Sequence, residues 1–176
     1  IVGFICAMLA MMKPNLSLAC GTVYCLCEGI FLGVISMFFE AMVPGVVITA
    51  VVATLAIVLV GALLFITGLI KVTNKLYKSV FMAAIGFIVT MLFVYLLHLF
   101  GVIAIDSIGL TLGVGAISIV LATIYLLLDL EQAYQLVSTQ GPKEMEWMIS
   151  FGISYTVLWI YIEVLRIAFV LLANRD

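Results

Sequence analysis

Residues 21–40 read GTVYCLCEGIFLGVISMFFE. As a helix this stretch rises about 30 Å, the thickness of a bilayer's hydrocarbon core. Its charges are Glu28, near the middle, and Glu40, at the end. An ionised side chain facing lipid at mid-membrane costs about 2.5–3.5 kcal/mol on insertion scales. Glu28 is therefore expected to face the inside of a bundle or a wet cavity, or to carry a proton.

The rest of the chain has the same character. Of 176 residues, 67% are hydrophobic and 9% charged, against about 25% charged in a soluble domain. So few charges cannot clothe a water-facing surface. The apolar runs are long and continuous, without the strict alternation of an outer-membrane barrel. The expected fold is an all-α polytopic membrane protein. The few, dispersed basic residues exclude a nucleic-acid partner; membrane lipid is the expected surround. Cys6, Cys20, Cys25 and Cys27 lie inside apolar runs, read as small buried residues, and give no zinc-ligand pattern.

Breakers and charge clusters divide the chain into one partial segment, about 1–12, and five complete ones, about 16–39, 44–70, 79–100, 107–130 and 147–173. They form a single transmembrane domain. Lys13-Pro14-Asn15, the basic stretch Lys71 to Lys78, and Gly141-Pro142 mark turns. The chain opens at Ile1 inside an apolar run, with no basic n-region or cleavage site of a signal peptide, so an N-terminal portion is expected upstream. Lys13, Lys71, Lys75, Lys78 and Lys143 fall on one side and Arg175 on the other. Basic loops stay cytoplasmic, which puts the C-terminus on the non-cytoplasmic side. Gly29-x-x-x-Gly33 and Gly109-x-x-x-Gly113 are candidates for close helix packing.

The carboxylates fall at three depths. Glu40 and Asp106 lie at outer helix ends, Glu28 and Glu163 near mid-membrane, and Asp129 and Glu131 toward the cytoplasmic end of the fifth complete run's predecessor, the segment 107–130. Arg166 follows Glu163 by three residues, a spacing that shares a helix face and permits an ion pair. Two acids with one arginine carry net charge −1 when ionised and zero with one proton bound; such a site titrates as a unit. The competing reading makes Glu40, Asp106 and Glu131 solvated helix ends and Glu163–Arg166 a structural pair.

Four stretches, CEGIFLGVISMFFE (27–40), TGLIKVTNKLYKSV (67–80), LLLDLEQAYQLVSTQGPKEMEW (126–147) and WIYIEVLRIAF (159–169), resemble in order and spacing the transmembrane Bax inhibitor motif family, in its prokaryotic branch. The resemblance covers essentially the whole chain. It implies a bundle of seven helices in the full protein, with a central C-terminal helix and about two helices before residue 13. Some members of that family pass calcium down its gradient in a pH-dependent way, with a sensor formed by two aspartates in the last two helices. By position Asp129 resembles the first and Glu163 the second, with Glu in place of Asp; the family's partner arginine has no match in residues 1–12, and Arg166 is a candidate substitute.

In straight helices turning at Gly141-Pro142, Asp129 and Glu163 would differ in height by about 16 Å at 1.5 Å per residue. They meet only if the last helix is displaced, and otherwise Glu146 is the substitute partner. The resulting expectation is a pH-sensitive cation leak channel or transporter, with Asp129, Glu163 and Arg166 as sensor or gate. Glu28, Glu40, Asp106, Glu131 and Glu146 are pathway candidates, calcium and protons the species handled, and no cofactor or tightly bound metal is expected. The alternative is a non-transporting membrane protein that modulates others, such as proteases or cell-death regulators. An intramembrane enzyme is disfavoured: Gly152-Ile153-Ser154-Tyr155 lacks the second glycine of a rhomboid-like serine site, and no Gly-x-Gly-Asp occurs. A bacterial plasma membrane is the expected location.

Overall fold

A computed structural model of the chain describes residues 3, 6, 9, 14–69, 72–100 and 108–174. Five helices account for most of them: α1 (Pro14–Met42), α2 (Val46–Ile66), α3 (Asn74–Leu99), α4 (Ile108–Ser138) and α5 (Lys143–Ala173). Each is long and apolar enough to cross a membrane. Of the partial helix expected over 1–12, Gly3, Cys6 and Leu9 are described and are helical; the remainder, with Lys13, Lys71, Asp106 and Arg175, lies outside the described residues.

Helix α5 is the centre of the bundle, packing on α4 most extensively and also on α2 and α1. Its residues Ile160, Val164, Leu165 and Ala168 join Val46 and Ala50 of α2 and Ala122 and Leu126 of α4 in one buried cluster. Lipid-facing positions stay exposed, among them Ile30, Met37 and Phe38 of α1 and Met82 and Ile88 of α3. Lipid is as apolar as these side chains, so helix contact here is held by close packing and polar bonds between helices rather than by escape from water.

Cross-helix contacts fix the directions. Tyr24 of α1 packs edge-on against Phe151 of α5, with ring centroids 5.1 Å apart. Ser36 and Tyr161 share a hydroxyl hydrogen bond of 2.7 Å. Phe39 meets Phe169 at 4.7 Å. Rising numbers meet rising numbers, so α1 runs parallel to α5. By the same test α4 runs antiparallel to α5: Asp129 lies over Gly152, and Gly115 over Arg166 and Ile167. The described lysines, Lys75, Lys78 and Lys143, sit at the start of α3 or α5, at one end of the bundle.

Several helix ends differ from expectation: α3, for instance, starts at Asn74 rather than at 79, and α2 ends at Ile66 rather than at 70. α4 continues two turns past Leu130, through Glu131 to Ser138. Polar residues mark the exit from lipid, not the end of a helix, and no breaker occurs before Gln140, whose φ is 51°, and Gly141. α5 starts at Lys143, directly after Pro142, because a proline is well placed where the first N–H groups have no helical partner. The paired glycines also differ from expectation. A Cβ at Gly29, Gly33, Gly109 or Gly113 would meet nothing within 4 Å. The close approaches are at Gly21 against Phe151, Gly61 against Leu126, and Gly115, where a Cβ would come within 2.8 Å of Ile167.

Candidate functional site

The α4–α5 seam repeats at alternating intervals of four and three. On α4 the positions are Asp129, Tyr125, Ala122, Ser118 and Gly115; on α5 they are Gly152, Thr156, Trp159, Glu163 and Arg166. That spacing keeps one stripe of each helix facing its neighbour along the whole interface. Here the stripe is filled with small, polar and aromatic residues rather than leucines, so the interface carries the polar chemistry of the protein.

At the end nearer the lysines, the Thr156 hydroxyl donates to Asp129 Oδ2 at 2.6 Å. Thr156 Oγ1 also lies 3.1 Å from the Gly152 carbonyl oxygen, one turn back on its own helix. Asp129 Oδ1 lies 3.7 Å from where a Cβ on Gly152 would be, so the carboxyl group packs beside Gly152 at ordinary contact distance. Among the described residues no donor is assigned to Oδ1. Asp129 also lines a cavity of about 680 Å³ between α3, α4 and α5. Phe81, Phe87 and Met91 of α3, Tyr125 and Leu128 of α4, and Tyr155 and Trp159 of α5 form its walls.

Farther along the seam lies a second polar group, in which Glu163 is bonded and ion-paired while Arg166 Nε is buried without a hydrogen-bond partner among the described residues. Trp159 Nε1 donates to Ser118 Oγ at 3.1 Å, and the Ser118 hydroxyl donates to Glu163 Oε1 at 2.9 Å. Glu163 Oε2 lies 2.6 Å from an Arg166 terminal nitrogen. The expected i, i+3 ion pair is therefore present. Ser118 is fully buried, and the Glu163 side chain is 14% exposed against 41% for Arg166. This is a charge held inside the bundle with its cation reaching toward the edge. Trp159 belongs to both groups, lining the cavity and bonding the serine that holds Glu163.

Asp129 and Glu163 do not meet. Asp129 takes Thr156, and Glu163 takes Ser118 and Arg166. Thr156 and Glu163 are seven residues apart on one helix, about 10 Å at 1.5 Å per residue. The geometric obstacle seen in the sequence is real, and a hydroxyl on the facing helix supplies each acid's partner instead. Glu146 is exposed in the first turn of α5, and Asp129 does not use it in the absence of Glu163.

The other candidates separate. Glu28 is half-buried, one turn beyond Tyr24 on the face of α1 that meets α5. It falls between the contacts of Tyr24 and Ser36, opposite the stretch of α5 that holds Thr156 and Trp159. It has no hydrogen bond or ion pair among the described residues. Glu40 is a helix cap: its two oxygens accept the N–H groups of Gly45 and Val47 at 2.7 and 2.9 Å. Those are orphan donors at the start of α2, and Gly45 takes the left-handed φ of 87° that the tight turn needs. Glu131 accepts from Gln135 one turn later at 2.9 Å. Asp106 lies outside the described residues. Sequence reasoning missed Thr156, Ser118 and Trp159; the signal that could have found them is the matching four-three spacing around Asp129 and Glu163.

Among known proteins, the model of a family described as Bax inhibitor 1 like matches residues 1–172. No curated protein and no solved structure matches.

Proposed function

The chain belongs to the Bax inhibitor 1 like family of membrane proteins, and from that premise we propose that it is a pH-sensitive cation leak, with calcium as the permeant ion and no enzymatic activity or cofactor. The observation that carries this reading is the Asp129 carboxyl group on the wall of the cavity, with one oxygen held by Thr156 and the other without a donor among the described residues. An ionised carboxylate so placed attracts a cation and offers it the oxygen ligand calcium prefers. A protonated one is neutral and no longer does. Proton binding at Asp129 thus changes both the local charge and the bond that ties α4 to α5, and the α4–α5 seam is the element whose two arrangements it biases.

Glu163, Ser118, Trp159 and Arg166 serve a different part in this reading. They hold the seam in register behind the cavity, so that Trp159 transmits a change at one group to the other. Glu28 supplies a second acid from α1 on the same stretch of α5. The setting is a bacterial plasma membrane with the lysine-bearing end in the cytoplasm and the C-terminus on the opposite side, supported by the lysines gathered at one end.

Calcium entry into vesicles holding the purified protein, followed across a pH series, tests the proposal. A pH-dependent flux that Asp129→Asn makes independent of pH supports it. Purified protein that passes no calcium at any pH and instead retains another membrane protein through purification would replace it with the modulator reading.

A further inference from the structure

We propose that the cavity between α3, α4 and α5 is a binding site for an amphipathic organic cation, a protonated amine carried on an aromatic or aliphatic body. Among the described residues of its lining, Asp129 is the one that bears a formal charge, and none is a lysine, arginine or histidine. Its Oδ1 has no donor among the described residues, which leaves a place for one N–H from a ligand. Tyr125 and Trp159 stand beside it with ring centroids 6.1 Å apart, and such faces attract an ammonium group through their quadrupoles.

The remaining walls decide the class. The volume of about 680 Å³ lies within the usual range of about 300–1,000 Å³ for small-molecule sites, and the lining is mostly carbon. A resident divalent ion wants about six to eight oxygen ligands, and this lining cannot supply them. An ion in transit needs only passing contact, so the site's usefulness to a leak is unaffected. A ligand that brings its own apolar surface fills the space and places a single charge against a single carboxylate. Access agrees: Tyr77, Phe81, Ile88 and Tyr155, all in the lining, are exposed, so the cavity opens on the flank of the bundle. A lipophilic amine dissolved in the bilayer reaches it from there without crossing the polar ends.

Binding is independent of ion passage and is read separately. The chain has two tryptophans, so Trp147→Phe leaves Trp159 on the cavity wall as sole reporter. The probe is para-bromobenzyl-dimethylamine, whose bromine quenches indole emission, compared with uncharged para-bromobenzyl alcohol, both titrated into phosphatidylcholine vesicles holding the full chain. The amine should quench Trp159 saturably and about tenfold more tightly than the alcohol, the scale of a partly desolvated cation–π and charge contact. Asp129→Asn should erase that difference, whereas Glu131→Gln, which removes an equal charge two residues away, should keep it. Ala84→Phe, which fills the cavity and spares the carboxylate, should weaken both probes. Equal quenching by amine and alcohol, or an amine preference that survives Asp129→Asn in protein that still reconstitutes, overturns the proposal. Calcium flux measured on the same vesicles without amine reports on the leak, whichever way the fluorescence falls.

Discussion

Asp129 and Glu40 are both carboxylates in long apolar helices, and the fold treats them in opposite ways. Both oxygens of Glu40 accept backbone N–H groups at the start of the next helix. Asp129 lines a cavity, with one oxygen on a threonine hydroxyl and the other without a donor among the described residues. Glu163 resembles Glu40, with a serine on one oxygen and an arginine on the other. The lesson is that an acid in a membrane helix declares its role by how much of its bonding capacity the protein itself fills. A filled carboxylate is part of the scaffold, and an unfilled one is available to a proton, a cation or a ligand.

The comparison breaks most readily in function. Asp129→Asn should abolish the pH response of calcium flux, whereas Glu40→Gln should retain it, measured in vesicles across the same pH series. In stability the order should reverse. Glu163→Leu strands Arg166 against the seam, but that arginine is partly exposed and partly screened, so the cost should be about 2 kcal/mol rather than the larger loss of a fully buried pair. Adding Arg166→Leu should recover part of it, and unfolding in mixed micelles measures both. Glu40→Gln keeps one weakened acceptor for two donors and should lower stability by less than Glu163→Leu does. Ser36→Ala, which leaves Tyr161 without its partner on α1, should cost about 0.5–1 kcal/mol. The smallest effect belongs to Asp129→Asn, at about 0.5 kcal/mol or less, because the amide oxygen still accepts the Thr156 hydroxyl. A large stability loss there would place Asp129 with the scaffold acids and dissolve the contrast.

How far the sequence carried this picture depends on the kind of information involved. Apolar runs ended by Pro44, the lysines of 71–78 and Gly141-Pro142 showed the five spans, since hydrocarbon thickness sets their length. The Glu163–Arg166 pair was legible because i, i+3 contact is local to one helix. Asp129's partner was not. Thr156 is 27 residues away, and which side chain faces which across a seam depends on the relative height and rotation of two helices. Glu40 looked like a pathway residue because nothing in the string reveals that the chain turns back at Gly45 and presents two N–H groups to it. The paired glycines misled for a related reason: a small residue permits close packing, but the bundle's rotation decides whether a neighbour arrives.

The most direct test of the central claim is the calcium flux of wild-type and Asp129→Asn protein in matched vesicles at an acidic and an alkaline pH. Wild-type flux should differ between the two, and the variant's flux should be the same at both. A variant that kept the wild-type pH dependence would show that the open carboxylate on the cavity wall is not the group that senses protons.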